Sequence, residues 1–289
     1  MEHMISNGEI SLSVSENGAE MMSIKKDGIE YLWQGNPEFW SGRAYNLFPI
    51  CGRLTDGKYT FKGKTYEMML HGFAKLSLFP LAEKGENFLT FTLESNEETK
   101  KMYPFDFVLT VKYTLAGGCI RMDYIVKNAG NENMFFALGG HPGFNIPLDG
   151  KGSFEDYYIE FPENCAPRAL KMDNCYMSDE TVPFALDGGT KYALHHTMFD
   201  NDAIFLCDMP KEVTLKSNKT DRSVTLKYPD MKYLGLWHKP RTSAPYICIE
   251  PWRGVPAYYK KIDDLETKRD MLTLAPKDEY TTHIDIIIK

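Results

Sequence analysis

Apolar and polar residues alternate with a period of two along much of the chain, the pattern of strands buried on one face. Glu9 to Ser15 (Glu-Ile-Ser-Leu-Ser-Val-Ser) is the first such stretch; Asn17-Gly18 turns the chain and Ala19 to Lys25 returns as its partner. Gly28 to Trp33 predicts a further short strand, and Tyr59 to Tyr66 a hairpin with its turn at Lys62-Gly63. Phe88 to Glu94 alternates again. Phe105 to Leu115 and Cys119 to Lys127, joined by Ala116-Gly117-Gly118, form the longest hairpin signal. Between these, Glu97 to Lys101 reads as a charged turn or a single helical turn. Val213 to Lys216 with Val224 to Lys227, then Tyr233 to Trp237, Tyr246 to Glu250 and Tyr280 to Ile288, complete the strand set. Residues 149 to 200 carry no sustained period and predict short strands and long loops; only Ala257 to Lys268 has a helical look. With no repeat and no linker rich in Gly, Ser or Pro, the expectation is an all-β chain folded as one large antiparallel β-sandwich over residues 1–289.

Composition narrows the function classes. The formal net charge of -7 and the acidic sequence pI of about 5.6 lean against a nucleic-acid partner. No apolar run has the length a membrane helix needs, and Met1 to Ser6 lacks the basic-then-apolar layout of a signal peptide. Cys51, Cys119, Cys165, Cys175, Cys207 and Cys248 are dispersed without a C-x-x-C pair, which points to reduced thiols in a cytoplasm.

Four stretches set an ionisable side chain in apolar or glycine-rich surroundings, where such groups need a partner or a task. In Phe136 to Pro147, an apolar run ends in Gly139-Gly140-His141-Pro142-Gly143, which predicts a sharp turn presenting His141. His71 follows Leu70 and precedes Gly72-Phe73-Ala74; Arg53 ends Pro49-Ile50-Cys51-Gly52. In Tyr246-Ile247-Cys248-Ile249-Glu250-Pro251-Trp252, a period of two puts Tyr246, Cys248 and Glu250 on one face of a central strand. A carboxylate there should have a raised pKa and suit general-base work, unless Glu250 simply pairs with Arg253 or Arg53.

Two imidazoles and a carboxylate are open to two chemistries: acid–base catalysis, or a metal held by His71, His141 and Glu250. Metal-binding spacings such as H-x-H or H-E-x-x-H are absent, as are a G-x-S-x-G elbow, a Walker loop and a dinucleotide fingerprint. Of the remaining histidines, His3, His195, His196 and His283 carry no motif, while His238 in Trp237-His238-Lys239-Pro240 is ambiguous.

Taken in order, Asn46-Leu47-Phe48-Pro49-Ile50-Cys51-Gly52-Arg53, His71-Gly72-Phe73, Gly140-His141-Pro142-Gly143-Phe144 and Glu250 resemble the aldose 1-epimerase family of galactose mutarotase-like proteins, over nearly the whole chain. The resemblance implies the large β-sandwich of that family, its supersandwich, with a sugar on the concave face and no cofactor or metal. It implies Glu250 as the base at the anomeric hydroxyl, His141 as the acid at the ring oxygen and His71 as a second donor. Arg53 and Asp202 would bind hydroxyls, with Trp237, Trp252 and Phe73 stacking on the sugar. Leu236-Trp237-His238-Lys239-Pro240 is closer to the hexose-phosphate branch, so that Arg43, Lys239, Arg241 and Arg253 become candidate phosphate contacts. The expected partner is a small sugar, with no nucleic acid and no membrane, and the protein a monomer or homodimer. The competing reading is a sugar-binding or sugar-sensing protein without catalysis on the same sandwich.

Overall fold

The computed structural model describes residues 1–173 and 175–289. Two large antiparallel sheets dominate. The nine-stranded sheet runs, in spatial order, Lys191–Ala193, Tyr157–Glu160, Glu212–Ser217, Thr220–Lys227, Glu279–Ile288, Cys119–Asn128, Phe107–Ala116, Phe88–Glu94 and Leu81–Lys84. The seven-stranded sheet runs Tyr176–Pro183, Arg168–Asp173, Ile204–Cys207, Tyr233–Trp237, Tyr246–Trp252, Gly139–Asn145 and Ala44–Leu47. Smaller sheets, including the N-terminal hairpin Ile10–Ser15 with Met21–Lys26, cover their ends.

Alternation explains the layering. In Phe107–Ala116 every second residue is buried, with Leu109, Val111, Tyr113 and Leu115 facing inward. They share one apolar cluster with Leu234, Leu236, Ile247, Ile249 and Phe144 of the seven-stranded sheet, so the two sheets form a β-sandwich. Hydrogen bonds cross this core: the Tyr124 hydroxyl donates to Asn46 Oδ1 at 2.8 Å, and the Tyr113 hydroxyl to the Ala19 carbonyl at 2.6 Å. The seven-stranded sheet is buried on both faces. Its outer face carries two separate apolar clusters, one around Tyr233 and Trp252, the other around Trp33, Tyr246 and Cys248.

Three local expectations differ from the structure. The stretch Gly139–Asn145 is a strand, not a turn, and none of Gly139, Gly140 and Gly143 has a positive φ. These glycines serve close approach: a Cβ on Gly140 would lie 3.0 Å from Ile284 Cδ1 of the opposing sheet, and one on Gly139 2.8 Å from the Trp252 ring. Ala257 to Lys268 is not helical. Its only regular element is Asp263–Asp264, paired in parallel with Tyr59 and Thr60, and the segment is tied down by Lys268, whose Nζ donates to the carbonyls of Val255 and Pro256 at 2.9 Å each. Residues 149 to 200 hold more strand than their sequence suggests, because Arg168–Asp173 and Tyr176–Pro183 extend the edge of the seven-stranded sheet. The charged segment near residue 97 is a helix, Glu97–Met102, capped by Asn96. Among the described residues, no helix is long and apolar enough to cross a membrane.

Candidate active site

Strand register builds the site. Gly139 opposes Trp252 and Gly143 opposes Cys248, which sets His141 directly across from Glu250 between those rungs. Pro142 and Pro251 contribute no N–H in this stretch, and the ladder opens there. On its other side His141 opposes Tyr45, Glu250 opposes Gly235, and Gly235 opposes Phe205. A single row across the outer face therefore reads Tyr45, His141, Glu250, Gly235, Phe205. Gly235 keeps room beside the acid, since a Cβ there would come within 3.2 Å of the Glu250 Cβ. The two outer apolar clusters flank this row.

His141 Nε2 and Glu250 Oε2 are 3.2 Å apart, and Glu250 is only 2% exposed. Among the described residues His141 is the only ion-pair partner of Glu250 within 4 Å, so pairing with Arg53 or Arg253 does not account for this carboxylate. Burial, reinforced by the nearby charge of Asp202, pushes the Glu250 pKa well up. Burial lowers that of His141 to about 3, with the Lys75 ammonium acting in the same direction. The buried pair thus disfavours charge on either member. His141 Nδ1 and the Trp252 indole N–H make no hydrogen bond of normal geometry, although the indole N–H lies near enough to Glu250 to offset part of the effect of burial on its pKa.

His71 enters from a loop. Its φ is +65° and that of Gly72 is +72°, and a Cβ on Gly72 would fall 2.1 Å from the Phe48 carbonyl oxygen, so only glycine fits there. The His71 amide donates to the Gly52 carbonyl at 2.8 Å, while the Gly52 amide donates back to His71 Nδ1 at 3.1 Å. With Nδ1 accepting, the ring proton is on Nε2. The His71 ring meets His141 edge-on at 5.3 Å and Trp252 at 5.4 Å. Burial, then the positive charge of His141, Lys75 and Arg53, holds His71 well below the ordinary imidazole pKa.

These groups line one cavity of about 360 Å³ together with Arg53, Asp202, Trp237 and Trp252. Asp202, at φ +80°, accepts from Trp237 Nε1 at 2.9 Å, so the predicted hydroxyl-binding acid and the predicted stacking ring are one unit. Phe73 is not part of the lining. It is buried against Phe48 and Phe107 and anchors the His71 loop from below, because the residue two beyond His71 turns toward the core. Arg43, Lys239, Arg241 and Arg253 also lie outside it: Arg43 binds the Met22 carbonyl and Gln34, and Lys239 the Glu38 carbonyl. The cations of the cavity are Arg53 and Lys75. Tyr45 and Lys75 were not singled out from the sequence; Trp40, in the aromatic loop Asn36 to Arg43 whose sequence reads as a binding rim or as packing under a long loop, packs over His141 with ring centroids 4.8 Å apart. The one buried metal-capable cluster among the described residues is His141, Cys248 and Glu250, without His71. Burial raises the pKa of both the Cys248 thiol and the Glu250 carboxyl, which makes this a poor ligand set, since metal binding needs the deprotonated forms.

The two imidazoles give a pH dependence of stability. Their folded-state pKa values lie below the ordinary 6.5, so the unfolded chain binds more protons as the medium is acidified. Stability from this source is complete above pH 6.5 and falls progressively toward pH 3, and thermal midpoints measured across that range should fall less steeply in His141→Gln than in the parent.

The fold and site define a β-sandwich protein with a cavity on the outer face of one sheet, lined by a buried histidine–glutamate pair. A sequence model of the aldose 1-epimerase family matches residues 1–284, and the chain belongs to that family. It is 34% identical over 295 residues to the plasmid-encoded protein LacX of Lactococcus lactis subsp. lactis, covering 98% of each chain. A galactose mutarotase related enzyme from Lactobacillus acidophilus is 33% identical, with a TM-score of 0.95 and coverage of 100% of this chain and 97% of that one. A galactose mutarotase-like protein from Lactobacillus casei is 31% identical, with a TM-score of 0.94 and full coverage of both chains.

Proposed function

We propose that this chain is an aldose 1-epimerase, interconverting the α and β anomers of a hexose or hexose phosphate by acid–base ring opening. The observation that carries this reading is the buried His141–Glu250 pair, a base and an acid 3.2 Å apart on the wall of a cavity of about 360 Å³. Glu250 takes the proton of the anomeric hydroxyl as the bond from C1 to the ring oxygen breaks. The bond's electron pair goes to the ring oxygen, which receives a proton from His141, once the proton of the neutral Glu250 carboxyl has passed to His141 Nε2 across the 3.2 Å contact. The product is the open aldehyde, with the proton now on Glu250 and His141 neutral. Rotation about C1–C2 and the reverse transfers close the ring to either anomer. Each direction thus returns the proton that the other consumed.

His71, its Nδ1 occupied by Gly52, offers Nε2–H toward the ring oxygen as a second donor. Arg53 and Asp202 bind hydroxyls, and Trp237 and Trp252 supply flat apolar walls for C–H faces. The test is the approach to equilibrium of freshly dissolved α-glucose, α-galactose and their 6-phosphates, followed by polarimetry or NMR with and without protein. Acceleration of at least one sugar is expected. Calorimetric binding without acceleration of any would replace catalysis by sugar sensing.

A further inference from the structure

Trp252 brings to the cavity wall a polar hydrogen that has no task so far. The residue lines the cavity but is only 1% exposed, so the wall it forms is narrow, and its indole N–H is buried without a hydrogen bond of normal geometry. A buried indole N–H ordinarily finds an acceptor, because leaving it dry forfeits its hydration.

The strand decides which acceptor is within reach. Glu250 and Trp252 are two positions apart in Tyr246–Trp252, so their side chains leave the same face of the sheet. The indole is gripped by its neighbours: the Phe205 ring lies 4.6 Å from it and the His71 ring 5.4 Å. A Cβ on Gly139 would come within 2.8 Å of Trp252 Cδ1, the carbon bonded to the N–H nitrogen, so that edge of the ring is closely packed as well. The ionisable groups around Glu250 are His141, 3.2 Å away, Asp202, and the Cys51, Cys248 and Tyr246 groups that burial keeps protonated. Burial and Asp202 oppose ionisation of Glu250, and the Trp252 N–H favours it.

We propose that Trp252 is a positioning residue of the reaction, its indole N–H closing onto the Glu250 carboxylate as that group gives up its proton to His141. The inference rests on the anomer-interconverting reading of the site. A neutral carboxyl is a weak acceptor for the N–H, whereas a carboxylate accepts a charge-assisted bond about twice as strong. Catalytic hydrogen bonds are often long in the free enzyme and tighten as charge develops. Transfer of the Glu250 proton to His141 therefore draws the N–H in. Because the indole is already packed in place, this donor stabilises the base form with little reorganisation, before the anomeric proton is taken.

Trp252→Phe removes ring volume together with the N–H, so the deciding variant carries β-(3-benzothienyl)alanine at position 252, which keeps the bicyclic shape and puts sulfur where the N–H was. 13C NMR follows the Glu250 carboxyl through its titration in the wild type and in this variant, and anomerisation of glucose, galactose and their 6-phosphates is followed against pH. The titration midpoint of Glu250 should rise by about 1 to 2 pH units in the variant, the worth of a hydrogen bond to a charged group. Loss of the Glu250 proton sets the high-pH limb of the kcat/KM profile in this mechanism, so that limb should move upward with the midpoint. Near neutral pH, kcat should fall about 10- to 100-fold while KM changes less than about three-fold. A raised midpoint in a protein that anomerises none of the sugars still supports the contact between the N–H and the carboxylate, and only the catalytic reading fails. An unmoved midpoint, or a KM that rises with kcat unchanged as loss of a stacking wall would give, overturns the proposal and leaves the catalytic reading standing.

Discussion

Glu250→Gln should lower anomerisation by about 10³-fold, within the range removed with a general base, while sugar affinity changes only a few-fold. Glutamine keeps the volume and the polar atoms beside His141 but accepts no proton from the anomeric hydroxyl. Full activity in this variant would remove Glu250 from the mechanism. The same substitution should stabilise the fold. The Glu250 pKa is raised in the folded state by burial first and by the Asp202 charge second, so its stabilising contribution is complete below pH 4.5 and is lost as pH rises through the raised value. Above that point the buried carboxylate is a cost, which glutamine removes. A gain of about 1 kcal/mol, or roughly 2–4 °C in Tm, is expected at high pH, shrinking to nothing below pH 4.5. Greater stability joined to lost activity would mark Glu250 as strain kept for chemistry; a loss of both would mark it as structural.

The parts of this molecule that were legible in the sequence are those set by local periodicity. Phe107–Ala116 alternates because one of its faces meets the opposing sheet, and the same rule placed Tyr246, Cys248 and Glu250 on a common face of a buried strand. Glu250 stood out because a carboxylate in an apolar strand next to Pro251 needs a reason. The Gly139–Asn145 strand was illegible for the opposite reason. Its glycines and proline are turn-formers locally, and only the closeness of Ile284 on one side and Trp252 on the other makes them strand residues. Tyr45 belongs to the site through pairing with His141, about 100 residues away along the chain, which no local pattern encodes, whereas the aromatic loop that carries Trp40 reads as a rim from its sequence. Lys75 lay one residue beyond the His71-Gly72-Phe73-Ala74 motif, where a lysine reads as surface, yet it is partly buried and lines the cavity. Phe73, chosen for its ring, faces the core, because the tight turn at His71 and Gly72 reverses which side the next aromatic can occupy.

Lys268→Met should be the most damaging substitution for stability outside the cavity, costing about 3–5 kcal/mol and of order 10 °C in Tm. Both members of the Lys268–Asp263 pair have side chains only 2% exposed. Removing the ammonium leaves the buried Asp263 carboxylate with only the largely exposed Lys261, 4.0 Å from Oδ1, as a counter-charge and strips the Val255 and Pro256 carbonyls of their donor. The double variant Asp263→Leu with Lys268→Met should recover a large part of the loss, because neither charge then remains. The effect should reach the site as well. Pro256 lines the cavity and packs so closely on Gly52 that a Cβ there would lie 2.6 Å from its ring, and Gly52 in turn fixes the His71 ring through its amide. Loosening the 255–257 segment therefore frees His71 and the neighbouring Arg53, so that KM rises more than kcat falls at temperatures where the variant is still folded. Denaturation curves for the two single variants and the double variant, read beside their kinetics, test this. Equal stability of Lys268→Met and wild type would show that the carbonyls and Asp263 find other partners and that the segment does not depend on the ammonium.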